Sequence, residues 1–307
     1  MHRDAITADV VARLVAEQFP RWAGLPVVPV AESGWDNRTF RLGDALLARL
    51  PTAEGYVAAV AKEHTWLPRL APHLPLPVPV PVALGSPGAG YPWPWSVRRW
   101  LDGRPAADDR IADPVAFARD LARFLVALWG VDAAGGPAAG AHSFHRGGAL
   151  AVYAEETRAA LDALGSTVDP AALQMWDDAL AATWTGPPVW FHGDVAEGNL
   201  LVDAAGRLAA VIDFGTSGVG DPACDLVIAW TLFEGASRAA FVAVVDQDPG
   251  TWARARGWAL WKALITVAAP DAAPRHVAGA RRTLARLLAA RPSKIAASGT
   301  PCASPGG

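Results

Sequence analysis

The spacing of hydrophobic and polar residues differs between the first part of the chain and the rest. The first part contains short alternating runs separated by turn-forming residues, which is the pattern of half-buried strands. The predicted strands cover residues 27–32, 39–42, 45–50 and 96–100. Two amphipathic helices accompany them, one from an N-cap at Thr7 to about Phe19 and one over residues 54–70. Residues 1–100 are therefore predicted to form a β-rich N-terminal lobe.

A dense run of prolines, "PHLPLPVPVPVALGSPGAGYPWPW", separates the second helix from the last of these strands. Proline has no backbone N–H to donate, so alternating proline and valine cannot form a central strand. A rigid linker is the simplest interpretation of such a segment. We favour a loop followed by edge strands, and we expect Trp93 and Trp95 to pack against this segment.

From residue 113 onwards the apolar spacing becomes that of helices. The predicted helices cover residues 114–129, 150–164, 170–184, 221–233, 237–245, 251–268 and 275–290. Short strands at 189–191, 200–202 and 209–212 interrupt them. The tail, 291–307, is small, polar and rich in proline and glycine, so it is predicted to be disordered. The pattern indicates an α+β fold with a larger, mainly helical C-terminal lobe at 101–290.

Composition narrows the location and the partners. Hydrophobic residues make up 52% of the chain and charged residues 19%, as in ordinary globular proteins, and a net charge of −3 argues against a broad nucleic-acid-binding face. The two cysteines are far apart, no apolar run is long enough to cross a bilayer, and the first helix does not resemble an export signal. We therefore expect a cytoplasmic monomer or homodimer without nucleic-acid or membrane partners.

Two loops beside predicted strands contain an unusual set of polar residues, "WFHGDVAEGNLLVD" from Trp190 and then "VIDFGTSGVGDPACDL". Phosphoryl transfer needs a carboxylate that orients or deprotonates the attacking hydroxyl, and Asp194 can fill this role. It also needs oxygen ligands for magnesium, which Asn199 and Asp213 can supply. Ordinary turns are one alternative. A hydrolytic metal site at His192 is another, but no further His–Asp cluster completes it, so His192 is expected to orient the loop backbone.

The spacing of these residues matches that of kinases. His192, Asp194 and Asn199 follow the H-x-D pattern with asparagine five residues after the aspartate, and residues 213–215 read D-F-G. With its flanking residues, this stretch resembles the aminoglycoside phosphotransferase family of small-molecule kinases, which includes macrolide, choline and homoserine kinase relatives. The resemblance extends from about residue 28 to residue 262.

The resemblance implies a protein-kinase-like, two-lobed fold, with the nucleotide bound by the N-terminal lobe and with catalysis and acceptor binding in the C-terminal lobe. It implies that Asp194 is the catalytic base and that Asn199 and Asp213 hold Mg²⁺. ATP or GTP would be the phosphoryl donor. The residue that matches Asp225 braces the catalytic loop from a helix.

The nucleotide-binding residues implied by the resemblance are Ser33, Gly34, Asn37, Arg49, Arg99 and Leu101. The last two would contact adenine through main-chain groups. Residues 33–37 lie where the family places its phosphate loop, but only Gly34 supplies flexibility, and a hairpin turn is an equally good interpretation. Arg49 occupies the position where kinases commonly have lysine, and Lys62 is a rival cation. Glu63 is either a partner of Arg49 or a solvated helix residue.

The predicted acceptor-binding residues are Glu197, Glu156, Glu234 and Trp230. Carboxylates suit a cationic antibiotic, and Glu197 lies three residues after Asp194. Surface charge is the alternative for each acid. An apolar acceptor would instead contact Trp230, whereas Trp258 and Trp261 are expected to pack in the helical core.

These residues predict an antibiotic kinase that inactivates its acceptor, with an aminoglycoside-like acceptor slightly ahead of a macrolide. A metabolic small-molecule kinase is the nearest alternative. A nucleotide-binding module without transfer activity is a second alternative, and a helical binding protein whose polar loops are only turns is a third.

Overall fold

The computed structural model describes residues 3–31, 34 and 36–289. Ser33 and the predicted tail at 291–307 lie outside these described residues. The strands are β1 Val27–Pro29, β2 Asn37–Leu42, β3 Leu46–Pro51, β4 Pro81–Gly85, β5 Trp95–Arg99, β6 Arg104–Pro105, β7 Val189–Phe191, β8 Leu200–Val202, β9 Leu208–Val211 and β10 Gly218–Gly220. The α-helices are α1 Ala8–Gln18, α2 Val57–Leu70, α3 Pro114–Trp129, α4 Ala154–Leu164, α5 Ala171–Ala181, α6 Ile228–Thr231, α7 Gly235–Val245, α8 Pro249–Ala268 and α9 Pro274–Ala289.

The N-terminal sheet is antiparallel, with the strand order β1-β2-β3-β5-β4. A tight turn at Gly43, which has a φ of 58°, joins β2 to β3. Because side chains alternate along each strand, one face of the sheet packs with α1 to form a core that includes Leu14, Phe40 and Trp95. The predicted N-cap of α1 is confirmed, since the Thr7 side chain accepts a hydrogen bond from the backbone N–H of Val10 at 3.4 Å.

The proline-dense segment ends in an edge strand, as predicted. β4 begins at Pro81 and, among the described strands, pairs with β5 alone, so its other side needs no ladder donor. Trp95 is fully buried in the N-terminal core, and Trp93 packs against the same cluster. These two rings fix the segment against the sheet.

The C-terminal part is mainly helical and buries a second core. Helices α3 to α9 supply most of this core, which includes Phe117, Trp176 and Leu260. Its short strands form two small sheets, β6-β8-β9 and β7-β10. Leu200 in β8 pairs with Val211 in β9, and the backbone N–H of Ile212 donates to the carbonyl of Asn199 at 2.9 Å. This pairing brings the two polar loops side by side.

The predicted α+β class is confirmed, with an antiparallel β-rich N-terminal region and a mainly helical remainder. Three predicted helices, those at 54–70, 150–164 and 221–233, begin with a 3-10 segment. In the last of them, Asp221 accepts the backbone N–H of Ala223, and Pro222 lies at the first position, where its missing N–H leaves no donor unpaired. The division at residue 100 stays a prediction. Within the described residues, no helix combines the length and apolar character needed to cross a membrane.

Candidate active site

A cavity of about 900 Å³ lies between the N-terminal sheet and the loops that follow β7 and β9. Thr39 and Arg49 line it from the sheet, and Asn199 and Asp213 line it from the two loops. Thr39 and Arg49 are directly paired across β2 and β3, so they project from the same face, opposite to the face that packs on α1. A cavity of this size suits a cofactor-sized ligand.

His192 joins the two polar loops. Its Nδ1 accepts the backbone N–H of Asp194 at 3.2 Å, and its Nε2 lies 3.0 Å from the carbonyl oxygen of Ile212. This pair of contacts fits a ring with its hydrogen on Nε2. The ring is fully buried and packs edge-on against Phe214. His192 therefore orients the loop backbones, and neither of its nitrogens is free to bind a metal.

Asp225 holds the same loop from the other side. Its carboxylate accepts the backbone N–H groups of His192 at 2.9 Å and Gly193 at 2.7 Å. Burial raises the pKa of Asp225, and these hydrogen bonds oppose that effect. Gly193 has a φ of 85°, and a Cβ there would lie 2.9 Å from the carbonyl oxygen of Thr216, so only glycine fits this turn.

Asp194 is exposed at the tip of this loop and is bonded to Asn199. The Asn199 Nδ2 donates to the Asp194 Oδ2 and to the Asp194 carbonyl, both at 2.9 Å. Since the amide nitrogen makes both contacts, the Asn199 Oδ1 remains an acceptor, and it has no hydrogen-bond partner in the described part of the chain. Asn199 thus links the exposed carboxylate of Asp194 to the cavity.

Asp213 has a left-handed backbone with a φ of 68°, which aspartate tolerates better than most residues. Its Oδ1 forms an ion pair with the Arg49 guanidinium. Burial would raise the pKa of Asp213, but the charge of Arg49 and its hydrogen bond lower it below the ordinary value. Asp213 is therefore held ionised.

Arg49 lies among three carboxylates. Besides Asp213, it contacts Glu63 at 3.2 Å and Asp36 at 3.3 Å, and Glu63 is bonded to Arg98 at 2.6 and 3.1 Å. The sequence left the pairing of Arg49 with Glu63 open, and the structure contains it. The sequence patterns do not indicate the roles of Asp36 and Arg98. Strand alternation could have indicated Arg98, because it lies two residues after Ser96, the cross-strand partner of Arg49.

This cluster has three carboxylates and two guanidinium groups, so one negative charge is left over. Within the described residues, no group of three or more His, Cys, Asp and Glu side chains could hold a metal by itself. Magnesium usually takes one or two protein oxygens together with phosphates and water. The Asn199 amide oxygen and the Asp213 carboxylate fit such a cation chemically.

Some of the other predicted nucleotide-binding residues line the cavity, and some do not. Gly34, Asn37 and Leu101 line the cavity. Arg99 is not among the lining residues in the described part of the chain. Ser33 lies outside the described residues.

Lys62, the rival cation, faces away from the cavity. Its Nζ lies 3.0 Å from the His142 Nδ1 and donates to the carbonyls of His142 at 3.3 Å and Ser217 at 2.8 Å. Burial lowers the pKa of Lys62 to about 8, although Glu63 opposes this change. Lys62 therefore connects α2 to the C-terminal part, and it is not among the described residues that line the cavity.

The predicted acceptor acids lie in two groups. Glu156 accepts the indole N–H of Trp261 at 2.7 Å. Glu234 forms an ion pair with Arg286 at 3.0 Å. Burial and the charge of Asp108 raise the pKa of Glu197, and the charges of Arg282 and Arg286 oppose this change. Each predicted acid therefore has a donor or a cation close to it.

Trp230 is only 3% exposed and packs edge-on against Trp252 at 5.7 Å. Trp258 and Trp261 are buried in the C-terminal core, as predicted. Because the Trp230 ring is buried in this core, the structure gives it a packing role.

Comparison with solved structures shows the same fold. The GDP complex of wild-type aminoglycoside 2'-phosphotransferase-IIIa aligns with a TM-score of 0.67 and 17% identity over 92% of this chain and 99% of that chain. Macrolide 2'-phosphotransferase MphH from Brachybacterium faecium aligns with a TM-score of 0.58 and 24% identity over 90% and 98%. These neighbours confirm the predicted kinase-like, two-lobed fold.

Comparison with curated proteins gives a partial match. The uncharacterized protein YcbJ of Bacillus subtilis (strain 168) is 30% identical over 156 residues, which are 50% of this chain and 48% of that protein. The match therefore spans about half the length of this relative. The profile of the phosphotransferase enzyme family covers residues 27–258, more than half of the chain, so the protein belongs to this family.

Proposed function

We propose that the protein transfers the γ-phosphoryl group of ATP or GTP to a hydroxyl group of a small molecule. One observation supports this most strongly. The exposed Asp194 is bonded to Asn199, which lines a cofactor-sized cavity together with Asp213. A candidate base for an acceptor hydroxyl thus lies next to oxygens suited to a metal-bound triphosphate. We expect the reaction to take place in the cytoplasm.

In the proposed reaction, the acceptor oxygen forms a bond to the γ-phosphorus while the bond from that phosphorus to the β,γ-bridging oxygen breaks. The nucleoside diphosphate leaves with the bonding electron pair. Asp194 orients the hydroxyl, accepts its proton and later releases it to water. His192 and Asp225 contribute by fixing the loop, so most of the catalytic effect comes from positioning.

Asn199 and Asp213 are the residues that would hold Mg²⁺. When bound, this ion would neutralise charge on the β- and γ-phosphates. Arg49 would bind phosphate from the sheet. Since Arg49 already contacts Asp36 and Asp213, an incoming phosphate competes with these carboxylates for its donors.

An antibiotic hydroxyl is the acceptor that the family resemblance favours, and its phosphorylation would confer resistance by inactivating the drug. The neighbours named above are an aminoglycoside and a macrolide phosphotransferase. The pairing of Glu156 with Trp261 and of Glu234 with Arg286 leaves fewer free carboxylates for an aminoglycoside than the sequence predicts. A metabolic alcohol therefore stays a second candidate.

A coupled screen for ADP or GDP release tests the proposal. It uses Mg-ATP and Mg-GTP with aminoglycosides, macrolides, peptide antibiotics, choline, homoserine and sugars, and it includes Asp194→Ala as the matched inactive control. We expect acceptor-dependent release in the wild type alone. Thermal melting with and without Mg-nucleotide accompanies the screen.

The outcomes separate the alternatives. A nucleotide-dependent rise in Tm without release for any acceptor would favour a binding module without transfer activity. The absence of a magnesium-dependent nucleotide effect on Tm would reject nucleotide binding itself. Release with a primary metabolite alone would reject the antibiotic assignment and keep the kinase.

A further inference from the structure

Two cations lie beside the catalytic loop on its acceptor side. A Cβ placed on Gly193 would lie 3.2 Å from the Cβ of Arg146, so Arg146 contacts the loop one residue before Asp194. The Arg146 Cζ is 4.8 Å from the centroid of the Trp261 ring, and the Lys262 Nζ is 5.8 Å from the same ring. Both cations therefore lie around one indole, beside the loop that holds the exposed carboxylate.

The indole that supports them is fixed. Trp261 is 4% exposed, its ring stacks on Tyr153 with a centroid distance of 4.0 Å, and its N–H donates to Glu156 at 2.7 Å. Arg146 also donates to the carbonyl of Phe144 at 3.0 Å and lies 3.4 Å from the Tyr153 hydroxyl. A rigid aromatic cluster thus fixes the Arg146 guanidinium, and the Lys262 ammonium lies beside the same cluster.

Neither cation has a carboxylate partner. Within the described residues, no ion pair of 4.0 Å or less involves Arg146 or Lys262, whereas Arg49, Arg98 and Arg254 each have one. Lys262 is exposed, and its Nζ has no hydrogen-bond partner in this part of the chain.

The groups around Lys262 shift its pKa in opposite directions. The surrounding protein and the charge of Arg146 lower the pKa of Lys262, while Asp194 and Glu156 raise it. During transfer Asp194 is occupied by the acceptor hydroxyl, and Glu156 is bonded to Trp261. Within the described residues, neither carboxylate forms an ion pair with Arg146 or Lys262, so the Lys262 ammonium keeps its donors for an anionic group.

We propose that Arg146 and Lys262 form an anion subsite that binds a carboxylate or phosphate group of the acceptor, close to the hydroxyl presented to Asp194. This inference rests on the proposed phosphotransfer function, because only that function places an acceptor next to Asp194. A polycationic acceptor would bring ammonium groups against two positive charges. Packing on Trp261 explains the position of Arg146 but not that of Lys262, whose Nζ contacts no polar atom of the described chain.

Binding measurements test the subsite without an identified acceptor. Calorimetry of the full chain saturated with Mg-ADP uses inorganic phosphate and D-glucuronate as anionic probes, with D-glucose and D-glucosamine as neutral and cationic counterparts. We expect the anions to bind at least tenfold more tightly than their counterparts. Lys262→Met should weaken anion binding about tenfold, and Lys262→Glu should abolish it and favour D-glucosamine.

Controls separate charge from folding. Lys262 is exposed, so its variants should unfold at the same denaturant concentration as the wild type. Arg146→Met could also disturb packing, and Lys262→Glu therefore decides the charge question. Arg158→Met, an exposed arginine on α4, should leave anion binding unchanged.

Three outcomes would overturn the inference. One is equal binding of all four probes, and another is anion binding that Lys262→Glu does not affect. The third comes from the acceptor screen extended to anionic alcohols such as D-glucuronate: a Lys262→Glu variant that slows transfer equally to neutral and anionic acceptors would assign the cations to the transferred phosphoryl group. A failure of Mg-nucleotide to raise Tm, together with no diphosphate release, would reject the proposed function instead.

Discussion

The two sides of the cleft differ in whether their cations form ion pairs with carboxylates. On the side formed by the sheet, Arg49 and Arg98 contact Glu63, and Arg49 also reaches Asp36 and Asp213, so both of these arginines have a carboxylate partner. Next to the loop that contains Asp194, Arg146 and Lys262 have none within the described residues. Paired cations mainly fix geometry, whereas cations without a carboxylate partner indicate where an anionic ligand binds.

The largest expected effect concerns Asp194. Its conversion to asparagine keeps an oxygen that Asn199 can donate to, but it removes the proton acceptor. We expect kcat to fall by about 10²- to 10⁴-fold, with the free energy of unfolding and the nucleotide-dependent rise in Tm unchanged. Steady-state kinetics with the best acceptor of the screen measures the loss. Unchanged turnover in Asp194→Asn would remove this residue from its proposed role.

The next largest effect should be a loss of stability when the carboxylate shared by Arg49 and Arg98 is removed. Glu63→Gln leaves two buried guanidinium groups without their shared carboxylate, so we expect the free energy of unfolding to fall by about 3–5 kcal/mol. Asp120→Asn removes an exposed ion pair with Arg123 and should cost less than about 1 kcal/mol. Urea unfolding compares the two variants. Similar small losses in both would show that the buried network contributes little to stability.

The sequence predicted the elements better than the charge network. Apolar periodicity located the strands and most helices, and motif spacing located Asp194, Asn199 and Asp213. The neighbours of these residues depend on contacts far along the chain. Arg98 required the register of β3 with β5, and Lys262 required the packing of α8 beside the loop that contains Arg146. Single-sequence patterns do not encode such packing directly.

A smaller effect on stability is expected from changing Arg49, which stands where kinases commonly have lysine. Arg49→Lys keeps the charge but replaces a planar fork by a single ammonium group, which cannot keep all three carboxylate contacts. We expect unfolding to become easier by about 1–2 kcal/mol and Mg-nucleotide binding to persist within a few-fold. Arg49→Met should lose most nucleotide affinity. Equal nucleotide affinity in the methionine variant and the wild type would mean that Arg49 does not bind phosphate.

The smallest expected effect is at the contact between the two sides. Lys62, in α2, reaches the carbonyls of Ser217 and His142, and residue 142 belongs to the same loop as Arg146. Its pKa in the folded protein is about 8, below the ordinary value of 10.5. Between these values the unfolded chain binds a proton that the folded chain does not, so this group makes the free energy of unfolding rise with pH.

Comparison with Lys62→Met isolates this contribution, because the other titrating groups are common to both proteins. The stability of the wild type minus that of the variant should grow by about 1 kcal/mol between pH 8 and pH 9 and stay constant below about pH 7. Lys62→Arg keeps a charge that does not titrate in this range, so the same growth should appear against it. Urea unfolding at pH 7, 8 and 9 gives both differences. If either difference stays flat or falls, then Lys62 remains protonated across this range and its link between α2 and the loop is not sensitive to pH.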